Sequence, residues 1–136
     1  MKVLIDSNVL FSAIYRKGSV PHQAYEKAVE IPYQCLICEE SVNDLYDAFN
    51  SKFPHLIGDM EDFIKTAVTA VEIIPIPESL HPDESLLRDP DDALILRAAI
   101  AANAEIIVSG DLDFLESDIT YPIIMTPAQF LQFGNL

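Results

Sequence analysis

The feature that most narrows the fold is a run of aliphatic residues, Val3-Leu4-Ile5, that ends in Asp6. A stretch that is apolar at every position, and not at alternate ones, has to be covered on both faces. Such a strand belongs in a parallel sheet with helices above and below it. The chain then repeats the theme. Tyr33 to Ile37, Val71 to Ile76, Ala104 to Val108 and Ile123 to Met125 read as further short strands. Between them run helical patterns. One is capped by Ser7 or Asn8 and extends to Tyr15, and another covers His22 to Glu30 after breaks at Gly18 and Pro21. Glu39 to Ser51 places Val42, Leu45 and Phe49 on one buried face, and Asp59 to Val71 repeats Phe63, Ala67, Val68 and Val71. Glu78 to Asp89 is polar and reads as loop. Asp89-Pro90-Asp91-Asp92 opens a helix rich in Ala, Leu and Ile that runs to about Ala102, and Thr126-Pro127 opens the last one. Strands alternating with helices predict an α/β chain, a short and mostly parallel sheet flanked by helices, as one domain over residues 1–136.

Half of the residues are hydrophobic, enough for a core without staples. No apolar run is long enough to span a bilayer, and the start of the chain resembles neither a signal nor a transit peptide, so a cytoplasmic protein is expected. The two cysteines, Cys35 and Cys38, bracket apolar residues and lack the partners that would complete a zinc site, so they read as reduced thiols. The net charge of −14 is unlike that of proteins that grip nucleic acid through many phosphate contacts. Either the excess acid solvates the surface, or part of it holds divalent cations. Position decides between these.

In parallel α/β sheets, ligands collect outside the carboxyl ends of the strands. Asp6 closes the first strand, Asp111 and Asp113 follow the fourth, and Asp89, Asp91 and Asp92 begin the helix leading into it. Asp44 lies within the helix after the second strand. Three separated segments thus bring carboxylates to one edge. Clustered carboxylates repel one another and are costly to desolvate, unless hard cations neutralise them. Mg²⁺ and Mn²⁺ accept such oxygen ligands and can activate water against a phosphodiester. Each acid also has a plain structural role open to it. Asp89 suits a helix cap and Asp91 and Asp92 the positive helix end, Asp111 and Asp113 suit a turn beside Gly110, and Asp44 suits a solvated helix position.

Four segments carry a family resemblance. Val3-Leu4-Ile5-Asp6-Ser7-Asn8-Val9-Leu10 resembles the opening of PIN-domain nucleases. Arg88-Asp89-Pro90-Asp91-Asp92-Ala93-Leu94-Ile95-Leu96 resembles the family's third motif, and Ile107-Val108-Ser109-Gly110-Asp111-Leu112-Asp113-Phe114-Leu115 its fourth. Ile123-Ile124-Met125-Thr126-Pro127-Ala128-Gln129-Phe130-Leu131 matches the usual ending. Within that family, the chain resembles the toxin components of toxin–antitoxin systems. The resemblance implies a three-layer fold and Mg²⁺- or Mn²⁺-dependent cleavage of RNA. It implies Asp6 as first metal ligand, Asn8 positioning it, Ser109 supporting the site and Asp92 as third acid. The fourth acid is Asp111 in the pattern of many members and Asp113 in that of others, with Asp89 and Asp91 accessory. The second acid departs from the pattern: members carry Glu, and here Asn43-Asp44-Leu45 occupies the place. Asp44 is one methylene shorter, and Glu40, one turn earlier, is a weaker substitute. A cognate antitoxin and a homodimer are further implied.

Two other readings stand beside this one. An acidic-site phosphatase also uses Asp after the first strand, but it needs a late Lys, and no Lys follows Lys65. Asn8 also stands where that pattern wants a second Asp. A PIN-like module without catalysis could bind RNA or protein. The chain has no Gly-x-Ser-x-Gly elbow and no Gly-rich phosphate loop. His22, His55 and His81 read as surface residues, and Phe49, Phe53 and Phe63 as core. Arg16, Lys17, Lys52 and Arg88 are the scarce cations near expected loops and helix ends.

Overall fold

A computed structural model describes residues 1–134, so the last two residues of the expected domain 1–136 lie outside the described residues. Five strands, β1 (Lys2–Ile5), β2 (Gln34–Cys38), β3 (Val71–Ile74), β4 (Ile106–Val108) and β5 (Ile123–Met125), form one sheet in the order β3-β2-β1-β4-β5. Every pairing is parallel. The chain leaves β1 in one direction for β2 and β3 and returns on its other side as β4 and β5. The loops after β1 and β4 therefore diverge, and the sheet has its switch point between those two strands.

Both faces of the central strands are covered, as continuous apolar runs require. Val3, Ile5, Cys35, Ile37, Ile106 and Val108 point into one core, and Leu4, Leu36, Cys38 and Ile107 into the other. Helices α1 (Ser7–Tyr15), α2 (Val20–Ala28), α3 (Glu39–Lys52), α4 (Ile57–Ala67) and α7 (Pro127–Gln132) pack on the first face. Helices α5 (Pro90–Ala101) and α6 (Leu112–Leu115) cover the second, so the fold has three layers. Cys35 and Cys38 are free and buried on opposite faces. Burial pushes the Cys35 thiol up to about 12, which keeps it protonated and inert.

Several boundaries differ from the sequence expectation. The cap of α1 is Asp6, not Ser7 or Asn8: its Oδ1 accepts the Ser7 N–H at 2.7 Å. Helix α2 starts at Val20, because Ser19 caps it and Pro21 sits in the first turn, where its missing N–H has no partner to lose. Gly18, at φ +81°, makes the turn before it. Val68 is the C-cap of α4 and exposed, so the buried face of that helix is Met60, Phe63, Ile64 and Ala67. The polar stretch after β3 contains a 3₁₀ turn, Pro82–Leu86, tied to α5 by Arg97, whose Nη2 donates to Glu84 Oε1 at 2.8 Å. No helix among the described residues is long and apolar enough to cross a membrane.

Candidate active site

Strand β1 delivers Asp6 to the carboxyl edge of the sheet at the switch point. Only 5% of the residue is exposed, and both carboxylate oxygens are engaged. Oδ1 takes the Ser7 N–H, and Oδ2 accepts from the Ser109 hydroxyl at 2.8 Å. The Ser109 oxygen in turn accepts the Asp111 N–H at 3.1 Å. On the other side of the same loop, Asn8 Oδ1 accepts the Gly110 N–H at 3.1 Å. Residues 6–8 and 109–111 are thus laced together, and the end of β4 is fixed against the end of β1. Burial holds the Asp6 carboxyl above its usual range, and nearby Asp111 adds to this, while the Ser109 and Ser7 hydrogen bonds work the other way.

Helix α5 enters from the second face with Asp89 as its cap, Oδ1 accepting the Asp91 N–H at 2.9 Å. Asp111 caps α6 in the same manner, accepting the Asp113 N–H at 2.9 Å. The structural role expected of each is therefore real. It consumes one oxygen and leaves the carboxylate in place for a second role. Asp89, Asp92 and Asp111 each bring an oxygen within 4.8 Å of the others. Asp92 is different from its two neighbours, because it caps nothing. It is 4% exposed, and among the described residues no N–H or O–H donor meets its buried Oδ2. Burial, reinforced by Asp111, Asp6 and Asp89, pushes the Asp92 carboxyl up to about 8.

The surrounding cleft, of about 230 Å³, is lined by Asp6, Ser7, Asn8, Glu40, Asp44, Asp89, Asp91, Asp92, Ile95 and Asp111. Among the described residues, no Lys, Arg or His lines it. Glu40 and Asp44 come from α3, one turn apart, and form the wall facing α5. Burial raises the Asp44 carboxyl above its usual range, with Glu40, Asp91 and Asp6 adding repulsion against a lowering hydrogen bond from Ser7. Asp113 stands apart. It is exposed and lines a separate cleft with Arg88, Glu116 and Asp118, because capping by Asp111 turns the next residues of α6 away. Asp89, expected as accessory, and Glu40, expected as the weaker substitute for Asp44, line the same cleft as Asp6, Asp92 and Asp111. The i, i+3 spacing of Asp89 and Asp92 across the first turn of α5, and the i, i+4 spacing of Glu40 and Asp44, are the signals that place both pairs on one side of their helices.

A family model described as the PIN domain matches residues 2–113. A search of curated proteins finds no match. Among solved structures, the chain is similar to VapBC2 from Rickettsia felis bound to a DNA fragment from its promoter. Identity there is 20%, the alignment covers 92% of this chain and 97% of that one, and the TM-score is 0.66. A toxin–antitoxin complex from Klebsiella pneumoniae is 22% identical over 92% of this chain and 97% of the other, with a TM-score of 0.65. Mycobacterium tuberculosis VapC20, a toxin that cleaves the sarcin-ricin loop, is 14% identical over 82% and 92% of the two chains, with a TM-score of 0.56. At these identities the likeness is one of fold.

Proposed function

This chain belongs to the PIN domain family, and from that premise we propose that it is a divalent-metal-dependent ribonuclease and the toxin of a toxin–antitoxin pair. The observation that carries the metal is Asp92 Oδ2, a buried carboxylate oxygen with no donor, in a cleft that contains no basic side chain. Ionising a buried carboxyl that no donor meets is costly, which is what pushes the Asp92 carboxyl up to about 8, and a bound cation is what would offset that cost. The donors around it are all oxygens, which suits Mg²⁺ or Mn²⁺ and not a thiophilic metal.

In this reading Asp89, Asp92 and Asp111, whose oxygens lie within 4.8 Å of one another, would hold the metal together, and Asp6 would join them from the end of β1. Asp113 is left out, since it faces another cleft. When bound, the ions supply the positive charge that lets an acidic protein hold a phosphodiester and activate water for attack on it. Ser109 and Ser7 fix the orientation of Asp6, and Asn8 fixes the loop that carries Asp111. Asp44, in the facing wall and in the place where the family pattern has Glu, would accept the proton of the attacking water, with Glu40 beside it. The toxin role rests on the toxin–antitoxin complexes among the similar folds, and it brings a cognate antitoxin as partner. RNA as substrate, a homodimer, a cytoplasmic site of action and a single domain over 1–136 complete the proposal.

Calorimetric titration with Mn²⁺, run beside cleavage of labelled single-stranded RNA, tests this reading. Metal binding together with cleavage that EDTA stops supports it. RNA binding without metal binding or cleavage would favour the non-catalytic module instead.

A further inference from the structure

The acidic cleft continues into a second groove of about 370 Å³, and the two share Ser7, Asn8, Asp44 and Asp91. Helices α1 and α3 form its walls. They run side by side in the same sense, since Phe11 meets Phe49 at 4.8 Å between ring centroids and Tyr15 meets Phe53 at 4.9 Å. Along this direction the lining changes character. The acids give way to Ser12 and Ala48, and the groove reaches Lys52, about 12 Å from Asp44 at the rise of an α-helix. Tyr15 lies at this end. Half of it is exposed, and its inner side is packed on Phe11 and Phe53.

The distribution of positive charge singles out the same end. The chain has eight Lys and Arg residues against 22 acids. Lys2, Lys27 and Arg97 are engaged within the fold: Lys2 donates to the Ala102 carbonyl, Lys27 to the carbonyls that end α7, and Arg97 to Glu84. Arg16, Lys17 and Lys52 are exposed, and among the described residues their side chains, like those of Lys65 and Arg88 elsewhere on the surface, make no ion pair and no hydrogen bond. Arg16 and Lys17 follow Tyr15 directly, and Lys52 precedes Phe53, on which Tyr15 packs. Three of the few cations thus lie within two residues of one aromatic pair, at the far end of a groove that begins at the acids. With so many carboxylates available, three unpaired cations together favour an anion from outside the chain.

We propose that the single-stranded RNA flanking the cleaved phosphodiester lies in this α1–α3 groove, its phosphates against Lys52, Arg16 and Lys17 and a base against the open part of the Tyr15 ring. A basic track combined with an aromatic platform is how single strands are held without sequence readout. The inference rests on the nuclease reading above, and it names where the substrate of that site lies.

The test is the fluorescence anisotropy of a short labelled single-stranded RNA, titrated in Ca²⁺ over a range of salt, with the unmodified protein, Lys52→Glu, Arg16→Glu with Lys17→Glu, Tyr15→Ala, and Lys65→Glu. The last makes the same charge change as Lys52→Glu but on α4, outside the groove lining, and controls for net charge in that comparison. Both groove charge variants are expected to weaken binding at least about tenfold. Each lost phosphate contact should also flatten the slope of log K against log salt by about 0.7. Lys65→Glu should stay within about twofold of the unmodified protein. Equal loss in the groove variants and in Lys65→Glu, or no RNA binding at all, overturns the proposal. Cleavage by the unmodified protein with Mg²⁺ or Mn²⁺, followed in parallel, keeps the two readings apart. Cleavage without a groove effect sinks only the groove, and a groove effect without cleavage sinks only the nuclease.

Discussion

The Ser109 hydroxyl donates a 2.8 Å hydrogen bond to Asp6 Oδ2 and at the same time accepts the Asp111 N–H, so one buried serine ties together two aspartates that follow different strands. The contact spans 103 residues of sequence. It joins the ends of β1 and β4 at the switch point, where the sheet opens its crevice.

Ser109→Ala removes this double role. A hydrogen bond to a charged group contributes roughly 1.5–3 kcal/mol, and the Asp111 N–H would lose its acceptor as well. The expected result is a loss of about 2 kcal/mol of stability, read as a lower urea midpoint at unchanged slope. Metal affinity should fall with it, since Asp6 loses the group that orients it. An unchanged midpoint would mean that the serine is not the link described here.

Asp92→Asn should stabilise the metal-free protein. The Asp92 carboxyl titrates near 8 in the folded chain against an ordinary 3.8, so the folded state binds its proton more tightly than the unfolded state does. Its unfavourable contribution is absent below about pH 4, grows as the pH rises, and is complete above about pH 8. In EDTA at pH 8 the variant should therefore be more stable, by an amount on the order of 2 kcal/mol after relaxation of the site is allowed for. The difference should shrink as the pH falls toward 4, and it should reverse with saturating Mn²⁺, which stabilises only the protein able to bind it. Thermal melts at pH 5 and 8, with EDTA and with Mn²⁺, check all three signs. A variant less stable than the parent in EDTA at pH 8 contradicts the electrostatic account.

Asp44→Glu restores the residue of the family pattern in the wall opposite Asp92. Cleavage should equal or exceed that of the parent. A loss of more than about tenfold, or roughly 1.4 kcal/mol of barrier, would show that the backbone of α3 is set for the shorter acid.

The sheet was legible in the sequence because its central strands are buried on both faces, and continuous runs such as Val3-Leu4-Ile5 and Ile106-Ile107-Val108 fit nothing else. The acids at its edge were legible for a related reason, since a carboxylate that ends a buried strand has few alternatives. Helix ends were harder to read. Val20 begins α2 only because Ser19 caps it, and α6, at four residues, carries too little periodicity to be recognised. The same limit kept Asp111 and Asp113 equivalent in the sequence. What separates them is the cap geometry, which holds Asp111 over the cleft and turns Asp113 toward Arg88. Asp89 reads in the sequence as a helix cap, and capping uses only one of its two oxygens, so the structure keeps it in the cleft as well.

The most direct measurement is the cleavage of labelled single-stranded RNA by the pure protein in Mg²⁺, Mn²⁺ or EDTA, beside Asp6→Asn and Asp92→Asn. Metal-dependent cleavage by the parent, absent in EDTA and abolished in both folded variants, is the result expected. Cleavage that survives in EDTA, or that Asp6→Asn and Asp92→Asn retain in full, would contradict the claim that the buried acids at the β1–β4 switch point form the active site.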